Sequence, residues 1–409
     1  MKRVLFFSIL LSVICIYTPV YAQMGGFGMG PKQNPALQGK TVVNKLVLYN
    51  ASKYDSKKSG QLIAHEKLKR EIIEVVRMDI LSSYSRECRV QLPIVSQNSA
   101  TLISTLFRAE EGKTDWDSGV LEYQLATVVS TSGLARILCS MSKDINLLNI
   151  IIKSQKRADD ALDTIGQLQY GSYDKNKQGD YDRAVNIIKA VNSFKEGVFS
   201  EVFQESGDAL DSYEDAVKLY PGFSEAYYQI AEIYRSKKKI EKAIENYGQA
   251  IRFDNNEANY YLARGVCYFD EGRKDNAMND FNHVIDLKPP DSVLFTAYAA
   301  RGNIYEMDKD DQKALQDYTK ATELNRKAAD IFFRKGLLNR KLKNYEDAVK
   351  DFDQVIELDG NKADAYYERG YTYAFLGDKK QVLSDYKTAA ALGNADARDF
   401  LKKNNISWE

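Results

Sequence analysis

The stretch YLARGVCYFDEGRKDNAMNDFNHVIDLKP (residues 261–289) decides the fold of this chain, because its pattern of small and aromatic residues recurs along the C-terminal half. The differences along the series Ala231, Gly265, Gly302, Gly336 and Gly370 are 34, 37, 34 and 34. Three more rows keep this spacing with the same slip: Ala209, Ala243, Ala277, Ala314, Ala348 and Val382; Tyr213, Tyr247, Phe281, Tyr318, Phe352 and Tyr386; Ala216, Ala250, Val284, Ala321, Val355 and Ala389. A two-helix unit of about 34 residues cannot bury its apolar face alone. We therefore expect an all-α solenoid of stacked helix-turn-helix units.

The order of residue types within one unit resembles the tetratricopeptide repeat (TPR) family. In the quoted stretch the small and aromatic residues, the turn and the final proline are Tyr261, Gly265, Tyr268, Gly272, Ala277, Phe281, Val284 and Pro289. The small residue of the first helix leaves room for a ring of the second helix. The resemblance implies a right-handed superhelix of five TPR repeats over 224–396 and a capping helix at 397–409. A transition over 170–223 contains a degenerate first repeat, whose Ala209, Tyr213 and Ala216 match only a second helix. Counted from that repeat, the quoted stretch is the third.

Two departures from the repeat pattern stand out. The slip of three falls at Lys288-Pro-Pro-Asp-Ser292, where we expect an insertion that lengthens a loop and leaves both helices intact. Asn339 stands where other repeats carry a tyrosine, and we interpret it as a tolerated substitution rather than a binding residue.

Opposite charges recur within the repeats. In four repeats a cation directly precedes the glycine of the first helix and an aspartate directly precedes the ring of the second: Arg264 with Asp280, Arg301 with Asp317, Lys335 with Asp351, and Arg369 with Asp385. The second repeat has Ile230 and Asn246 instead, so both charges disappear together. This covariation predicts a structural, not catalytic, ion pair inside each of the four repeats.

The N-terminus has the features of an export signal. Lys2 and Arg3 precede the apolar stretch Val4–Tyr17, which is too short for a membrane span, and the small residue Ala22 ends a cleavage motif. We predict a signal peptide over 1–22, a Gly/Met-rich flexible tether over 23–40, and a periplasmic or extracellular protein. Lys plus Arg and Asp plus Glu both number 57, so net charge does not direct the chain to nucleic acid or to a membrane.

A smaller, mostly helical domain of unrecognised family is expected over 41–169. Apolar residues on helical spacing predict helices over Gln61–Ser83, Ala100–Phe107, Val120–Cys139 and Asp144–Gln169, and Val42–Tyr49 is a candidate short strand. Without the signal peptide the chain keeps Cys88, Cys139 and Cys267. Cys88 and Cys139 either pair or stay free, and Cys267 is expected to be a buried apolar residue.

The sequence shows no motif for chemistry. It has two histidines, and it lacks metal-ligand spacing, a phosphate loop and a nucleophile motif. We therefore expect no catalytic residue, no cofactor and no metal. An enzyme with its site in the N-terminal domain is the alternative that sequence leaves open.

The resemblance implies that the first helices line a concave groove that binds a protein or peptide. Carried onto this chain, the predicted groove residues are Tyr228, Arg235, Phe269, Asn303, Phe333, Arg334, Arg340, Tyr367 and Tyr371. Aromatic and arginine side chains supply most of the binding energy in protein interfaces, which favours the fifth and sixth repeats and an apolar or acidic segment as ligand. The competing interpretation of these residues is a packing seam with solvated cations.

We therefore predict a non-enzymatic interaction scaffold of the bacterial cell envelope that binds a peptide or a helical segment of a partner. The alternative is a permanent structural subunit of an envelope or secretion assembly. Neither reading includes an integral membrane span, nucleic acid or metal.

Overall fold

The computed structural model describes residues 40–50, 55–88, 93–106, 113–117, 120–141, 143–168, 174–202 and 206–408. The predicted signal peptide and nearly all of the Gly/Met-rich tether lie outside the described residues. The chain divides into two compact units, one ending at Ile230 and the other beginning at Ala231. Each unit is mostly helical.

The N-terminal unit contains three strands and seven helices among its described residues, and an eighth helix crosses the boundary between the units. The elements are β1 (Lys40–Asn50), α1 (Lys57–Glu87), α2 (Pro93–Gln97), α3 (Ser99–Leu106), β2 (Lys113–Asp117), β3 (Val120–Ser130), α4 (Thr131–Met141), α5 (Ile145–Leu168), α6 (Lys175–Val202), α7 (Ser206–Leu219) and α8 (Ser224–Ser236). The strands form an antiparallel sheet of order β1-β3-β2, in which Lys40 pairs with Ser130 and Lys113 with Gln124.

This sheet corrects one prediction and confirms another. The helix predicted over Val120–Cys139 is wrong in its first half, because Val120–Ser130 is a strand and only α4 is helical. The segment alternates Leu121, Tyr123 and Leu125 with polar or small residues, which is a period of two rather than of 3.6. The strand predicted at Val42–Tyr49 is confirmed as part of β1.

Helix α1 supplies much of the core of the N-terminal unit. Its residues Leu68, Ile72, Val76 and Ile80 are fully buried, as their helical spacing predicts. Ser56 and Ser59 form a capping box that satisfies backbone donors at its first turn. Cys88, at the end of α1, and Cys139, in α4, form a disulfide, which settles the pairing that sequence left open.

The first repeat contains more than its predicted half. Gly197 of α6 lies 34 positions before Ala231, and a Cβ at Gly197 would lie 2.5 Å from the Tyr213 ring of α7. This is the packing of a small residue against a ring that defines the later repeats. The second half of α6 is therefore the first helix of this repeat.

The C-terminal unit continues as pairs of antiparallel helices. These are α9 (Ile240–Phe253), α10 (Ala258–Asp270), α11 (Lys274–Leu287), α12 (Asp291–Met307), α13 (Asp311–Leu324), α14 (Ala329–Lys341), α15 (Tyr345–Leu358), α16 (Ala363–Leu376), α17 (Lys379–Ala391) and α18 (Ala395–Lys403). Each of the third to sixth repeats has a glycine at the equivalent position of its first helix. A Cβ added there would come within 2.7–2.9 Å of the ring on the second helix; the pairs are Gly265–Phe281, Gly302–Tyr318, Gly336–Phe352 and Gly370–Tyr386. The repeat register is thus set by helix packing.

The insertion of three residues lies in a helix, not in a loop. Helix α12 has 17 residues against 13 in α10, whereas only Lys288–Pro290 separate α11 from α12. Proline fits the start of a helix because its missing N–H is not needed there, and Asp291 favours the positive end of the helix. The prediction of a longer loop is therefore wrong: the extra residues add about one helical turn.

The four predicted ion pairs are confirmed. The closest nitrogen-to-oxygen distances are 2.7 Å for Arg264–Asp280, 2.8 Å for Arg301–Asp317, 2.8 Å for Lys335–Asp351 and 2.6 Å for Arg369–Asp385. All four aspartates are buried. The arginines bind both carboxylate oxygens, which is the strongest geometry for such a pair.

Two of these arginines also connect neighbouring repeats. Arg301 donates from Nη1 to Asn282 Oδ1 of the third repeat at 2.6 Å, and Arg369 donates from Nη1 to Asp353 Oδ1 of the fifth repeat at 2.5 Å. The pattern differs at the fifth repeat, because the single nitrogen of Lys335 is bonded to Asp351. Thr319, the counterpart of Asn282, donates its hydroxyl to the backbone of its own helix.

Candidate functional site

The predicted groove residues all lie on first helices of the repeats. Tyr228 and Arg235 are on α8, Phe269 is on α10 and Asn303 is on α12, while α14 and α16 carry the rest: Phe333, Arg334, Arg340, Tyr367 and Tyr371. Tyr228 belongs to the N-terminal unit and is half-buried. The other eight belong to the C-terminal unit and are described together below.

In the second and fourth repeats the groove side chains form polar clusters. Glu232 pairs with Arg235 at 2.5 Å and accepts a hydrogen bond from the hydroxyl of Tyr247. In the fourth repeat, Tyr318 donates to Asn303 Oδ1 at 2.7 Å and to Glu306 Oε2 at 2.6 Å. In both repeats the tyrosine ring of the second helix is thus joined by a hydrogen bond to a side chain of the first helix.

The hydroxyl of Tyr318 is held in its neutral form. Burial raises the pKa of Tyr318, and its hydrogen bond to Glu306 raises that pKa further. A neutral phenol donates a hydrogen bond to the carboxylate and so fixes its position. Sequence reasoning did not find this link, although tyrosine rather than phenylalanine in the ring row was the available signal.

In the third repeat the groove is apolar. Phe269 packs with Leu262 and Val266 against the buried residues Phe281 and Ile304. Phe333 of the fifth repeat packs edge-on against Phe352, with ring centroids 5.7 Å apart, and Lys362 Nζ lies 5.2 Å from its ring centroid. Both predicted residues are half-buried, so much of their area stabilises the repeats.

The last two repeats expose a group of rings that we call the aromatic patch: Tyr345, Tyr367, Tyr371 and Phe375. Tyr371 is 41% exposed and Phe375 is 51% exposed. The Tyr345 ring stacks on Phe375 with centroids 4.9 Å apart, and Tyr371 meets Phe375 edge-on at 5.3 Å. Tyr367 lies parallel to Tyr371 at 6.5 Å. Tyr345 was missed by sequence reasoning because it lies on a second helix.

Each predicted groove arginine already has a carboxylate partner. Arg235 pairs with Glu232, Arg334 Nη1 lies 3.2 Å from Glu306 Oε2, and Arg340 Nη2 lies 2.8 Å from Glu368 Oε2. Because these cations are neutralised within the groove, they give an acidic ligand little net attraction. The expectation of an acidic ligand at these arginines therefore has no support in the geometry.

Arg340 joins the aromatic patch to its ion pair. Its guanidinium carbon lies 4.7 Å from the centroid of the Tyr371 ring, within range of a cation–π contact. Burial raises the pKa of the Glu368 carboxyl, and Arg340 only partly offsets that rise. The arginine therefore holds Tyr371 in place, and the open surface that remains is aromatic.

The N-terminal unit holds a separate polar cluster in its core. Lys195 is buried and bonded to Gln155 Oε1, and Asn192 donates to Glu66 Oε1 at 3.0 Å. Burial, with a smaller effect from the neighbouring Lys69, lowers the pKa of the Lys195 ammonium to about 7. Its groups bond to one another across α1, α5 and α6, which is the arrangement of a structural polar core.

The described residues hold no group of three or more His, Cys, Asp or Glu residues that could bind a metal ion. None of their helices is both long enough and apolar enough to cross a membrane.

Comparison with known proteins identifies the repeats. Three family profiles match: "TPR repeat" at residues 231–272 and 336–377, and two profiles described as "Tetratricopeptide repeat" at 212–245 and at 258–291, 295–327 and 363–392. Matches to the repeats thus begin at the first repeat and continue through the sixth.

Curated relatives match only part of this chain. The chain is 32% identical over 132 residues to anaphase-promoting complex subunit 3 of Schizosaccharomyces pombe, a match that covers 32% of this chain and 19% of that protein. It is 30% identical over 90 residues to a UDP-N-acetylglucosamine–peptide N-acetylglucosaminyltransferase of Giardia intestinalis, covering 22% of this chain and 6% of that protein. The chain therefore spans less than a fifth of the length of either relative.

Among solved structures, the chain is similar to YrrB, described as a TPR protein with an unusual peptide-binding site. The identity is 21% and the TM-score 0.43, over 48% of this chain and 100% of that one. The profile matches over 212–291, 295–327 and 336–392, together with the packing of glycine against ring in successive repeats, show that this part of the chain consists of tetratricopeptide repeats.

Proposed function

We propose that this TPR protein is a non-enzymatic scaffold of the bacterial cell envelope that binds an apolar segment of a partner protein on its concave face. Tetratricopeptide repeats are protein-interaction modules, and the aromatic patch is the observation that supports this use of the groove. Exposed rings that are held rigidly by neighbours lose little conformational entropy when a partner covers them. The contacts of Tyr371 with Arg340 and Phe375 meet that condition.

The ligand is an apolar peptide or the apolar face of a helix. The groove cations are already paired, so binding energy must come mainly from burying the rings. Tyr371 and Phe375 lie four residues apart on α16 and present adjacent rings. A partner segment with two apolar side chains on one face can contact both.

The envelope location rests on the predicted signal peptide over 1–22. Cell fractionation together with mass spectrometry of the mature N-terminus tests it. A chain that begins at Gln23 and appears outside the cytoplasm supports the proposal, and a cytoplasmic chain that retains residues 1–22 contradicts it.

The binding proposal is tested by affinity capture from envelope extracts with the mature protein and two double variants. The patch variant carries Tyr371→Ala and Phe375→Ala, which remove the two exposed rings of the aromatic patch. The matched control, Phe253→Ala with Leu392→Ala, removes two side chains of similar exposure elsewhere in the repeats. Captured partners are then purified and their affinities measured by calorimetry.

The expected result is a partner that the control variant retains and the patch variant loses, with a loss of about 2 kcal/mol or more in binding free energy. A partner retained equally by all three proteins contradicts binding at the patch. It would favour the permanent structural subunit, held through other surfaces.

A further inference from the structure

The turn between α8 and α9 carries the densest positive charge among the described residues of the C-terminal unit. The eight positions from Arg235 to Lys242, here called the basic turn, hold five basic side chains and one acidic side chain, Glu241. The five basic ones are Arg235, Lys237, Lys238, Lys239 and Lys242, and all are exposed. The chain as a whole has no net charge, so this cluster is a local feature.

Among the described residues, only one of the five basic side chains of the basic turn, Arg235, has a carboxylate partner. Glu232 pairs with Arg235, while Glu241, the acidic residue of the basic turn, lies 3.4 Å from Arg273 of the next repeat. Lys242 Nζ lies 5.3 Å from the centroid of the Tyr234 ring. Lys237, Lys238 and Lys239 have no carboxylate within ion-pair distance among the described residues.

The backbone holds these three lysines on a rigid turn. Lys238 N–H donates to Arg235 O and Lys239 N–H donates to Tyr234 O, both at 2.9 Å. Lys238 has a positive φ of 56°, a conformation that favours glycine, and the equivalent positions of the third and sixth repeats are Gly272 and Gly377. The three exposed lysines therefore lie on a turn whose backbone is fixed by hydrogen bonds, and we call them the tip.

We infer that the basic turn docks on the anionic headgroups of a phospholipid bilayer. An exposed cluster of cations is complementary in charge to such a surface, which offers many phosphates at once. Lysine ammonium groups are compact, strongly hydrated charges that need no fixed ligand geometry. Clusters of four to eight basic residues beside a membrane are sufficient for electrostatic binding to anionic lipid.

The direct test is co-sedimentation of the mature chain with two kinds of vesicle. One kind is pure phosphatidylcholine, and the other contains one third phosphatidylglycerol. Binding to the anionic vesicles is expected to exceed binding to the neutral ones by at least about tenfold, since each lysine near the surface contributes roughly fivefold. Raising the salt to about 0.5 M should abolish the difference. Equal binding to both kinds of vesicle overturns the inference.

Two triple variants make the test specific. The tip variant combines Lys237→Gln, Lys238→Gln and Lys239→Gln. The control variant combines Lys343→Gln, Lys379→Gln and Lys380→Gln. The control removes the same charge from exposed positions of the fifth and sixth repeats, and it includes Lys343, which also has a positive φ, of 65°. Circular dichroism and thermal melting check that both variants fold.

The tip variant should lose anionic-vesicle binding at least about tenfold, while the control stays within about twofold of wild type. Equal losses in both variants overturn the inference, because the effect would then be one of total charge. A third arm uses soluble polyglutamate as probe. Binding to polyglutamate that depends on the tip, without vesicle binding, also overturns the inference and favours an acidic protein surface.

Discussion

Asn339 Nδ2 donates a hydrogen bond of 2.8 Å to Asp351 Oδ2 in the fifth repeat. The other oxygen of Asp351 accepts from Lys335 Nζ at 2.8 Å. In the third and sixth repeats a single arginine binds both aspartate oxygens. The lysine and the asparagine together therefore replace one arginine, so Asn339 has a structural role that the repeat pattern did not predict.

Asn339→Ala should lower the free energy of unfolding by about 1–3 kcal/mol, because a buried carboxylate oxygen loses its donor. Urea denaturation followed by circular dichroism measures the change. The exposed Asn279→Ala serves as control and should have little effect. In a Lys335→Arg background the cost of Asn339→Ala should shrink, since arginine can bind both oxygens. An unchanged cost there would show that the two residues do not share this task.

Gly302→Ala should destabilise the fourth repeat by about 1–3 kcal/mol. A Cβ at this position would lie 2.7 Å from Tyr318 Cε1, so the helices must move apart. Gly248→Ala is a control of opposite sign, because its Cβ would meet only Arg264 Nη1 at 3.8 Å, and alanine favours the helix by about 0.5–1 kcal/mol. Thermal melting of both variants measures the pair. If Gly302→Ala left the melting temperature unchanged, the assigned repeat register would be wrong.

Lys309→Gly should stabilise the protein by up to about 1 kcal/mol. Lys309 has a φ of 61°, where a residue with a Cβ pays roughly 1–2 kcal/mol, and the gain exceeds the greater entropy of unfolded glycine. The reverse change is Gly377→Ala, at the equivalent turn with a φ of 81°, and it should destabilise by a similar amount. If denaturation shows that both variants change the free energy of unfolding in the same direction, backbone strain does not cause these changes.

Cys267 should resist thiol reagents in the folded protein. It is fully buried, and burial raises the pKa of its thiol to about 11, so at pH 8 the reactive thiolate is scarce as well as inaccessible. With Cys88 and Cys139 paired, Ellman's reagent should detect almost no thiol in the native mature protein and one after denaturation without reductant. Rapid labelling of the folded chain would contradict this packing.

Arg157→Ala should destabilise the N-terminal unit by roughly 3 kcal/mol or more. The fully buried Glu225 accepts from Arg157 Nη2 at 3.0 Å, whereas a second cation, Lys153 Nζ, is farther away at 3.8 Å, and a buried carboxylate that loses its closest partner is costly. Arg183→Ala, which removes an exposed pair with Asp180 at 3.6 Å, should cost less than about 1 kcal/mol. Chemical denaturation of the two variants should separate them clearly. Similar small losses would show that Glu225 finds another partner.

The repeat register and the ion pairs could be predicted because each is repeated within the chain. In the second repeat Ile230 and Asn246 replace the cation and the aspartate together, which indicated that these two positions meet across the helices of a repeat. The Arg264–Asp280 contact confirms this. Gly197 carried the same signal, 34 positions before Ala231, but no turn precedes it in the long helix α6, so the first half of its repeat went unnoticed.

Contacts in the N-terminal unit could not be predicted in this way. The Arg157–Glu225 pair joins residues 68 positions apart and occurs once, so no periodic pattern marks it. Val120–Ser130 contains apolar residues that suit either a helix or a strand until alternation is examined. At the candidate site, sequence placed Arg340 and Tyr371 on neighbouring first helices, but it could not show that Glu368 neutralises the arginine.

The arginine connections between repeats imply that, of the three junctions among the third to sixth repeats, one responds to salt more strongly than the other two. Half-buried bonds of Arg301 to Asn282 and of Arg369 to Asp353 connect the third repeat to the fourth and the fifth to the sixth. Between the fourth and fifth, the corresponding polar contacts are the more exposed pairs Arg334–Glu306 and Lys341–Asp311. Salt screens exposed charges far more than buried ones. Ionic strength would therefore loosen this junction before the other two, and the curvature of the groove beside the aromatic patch would change with the ionic medium.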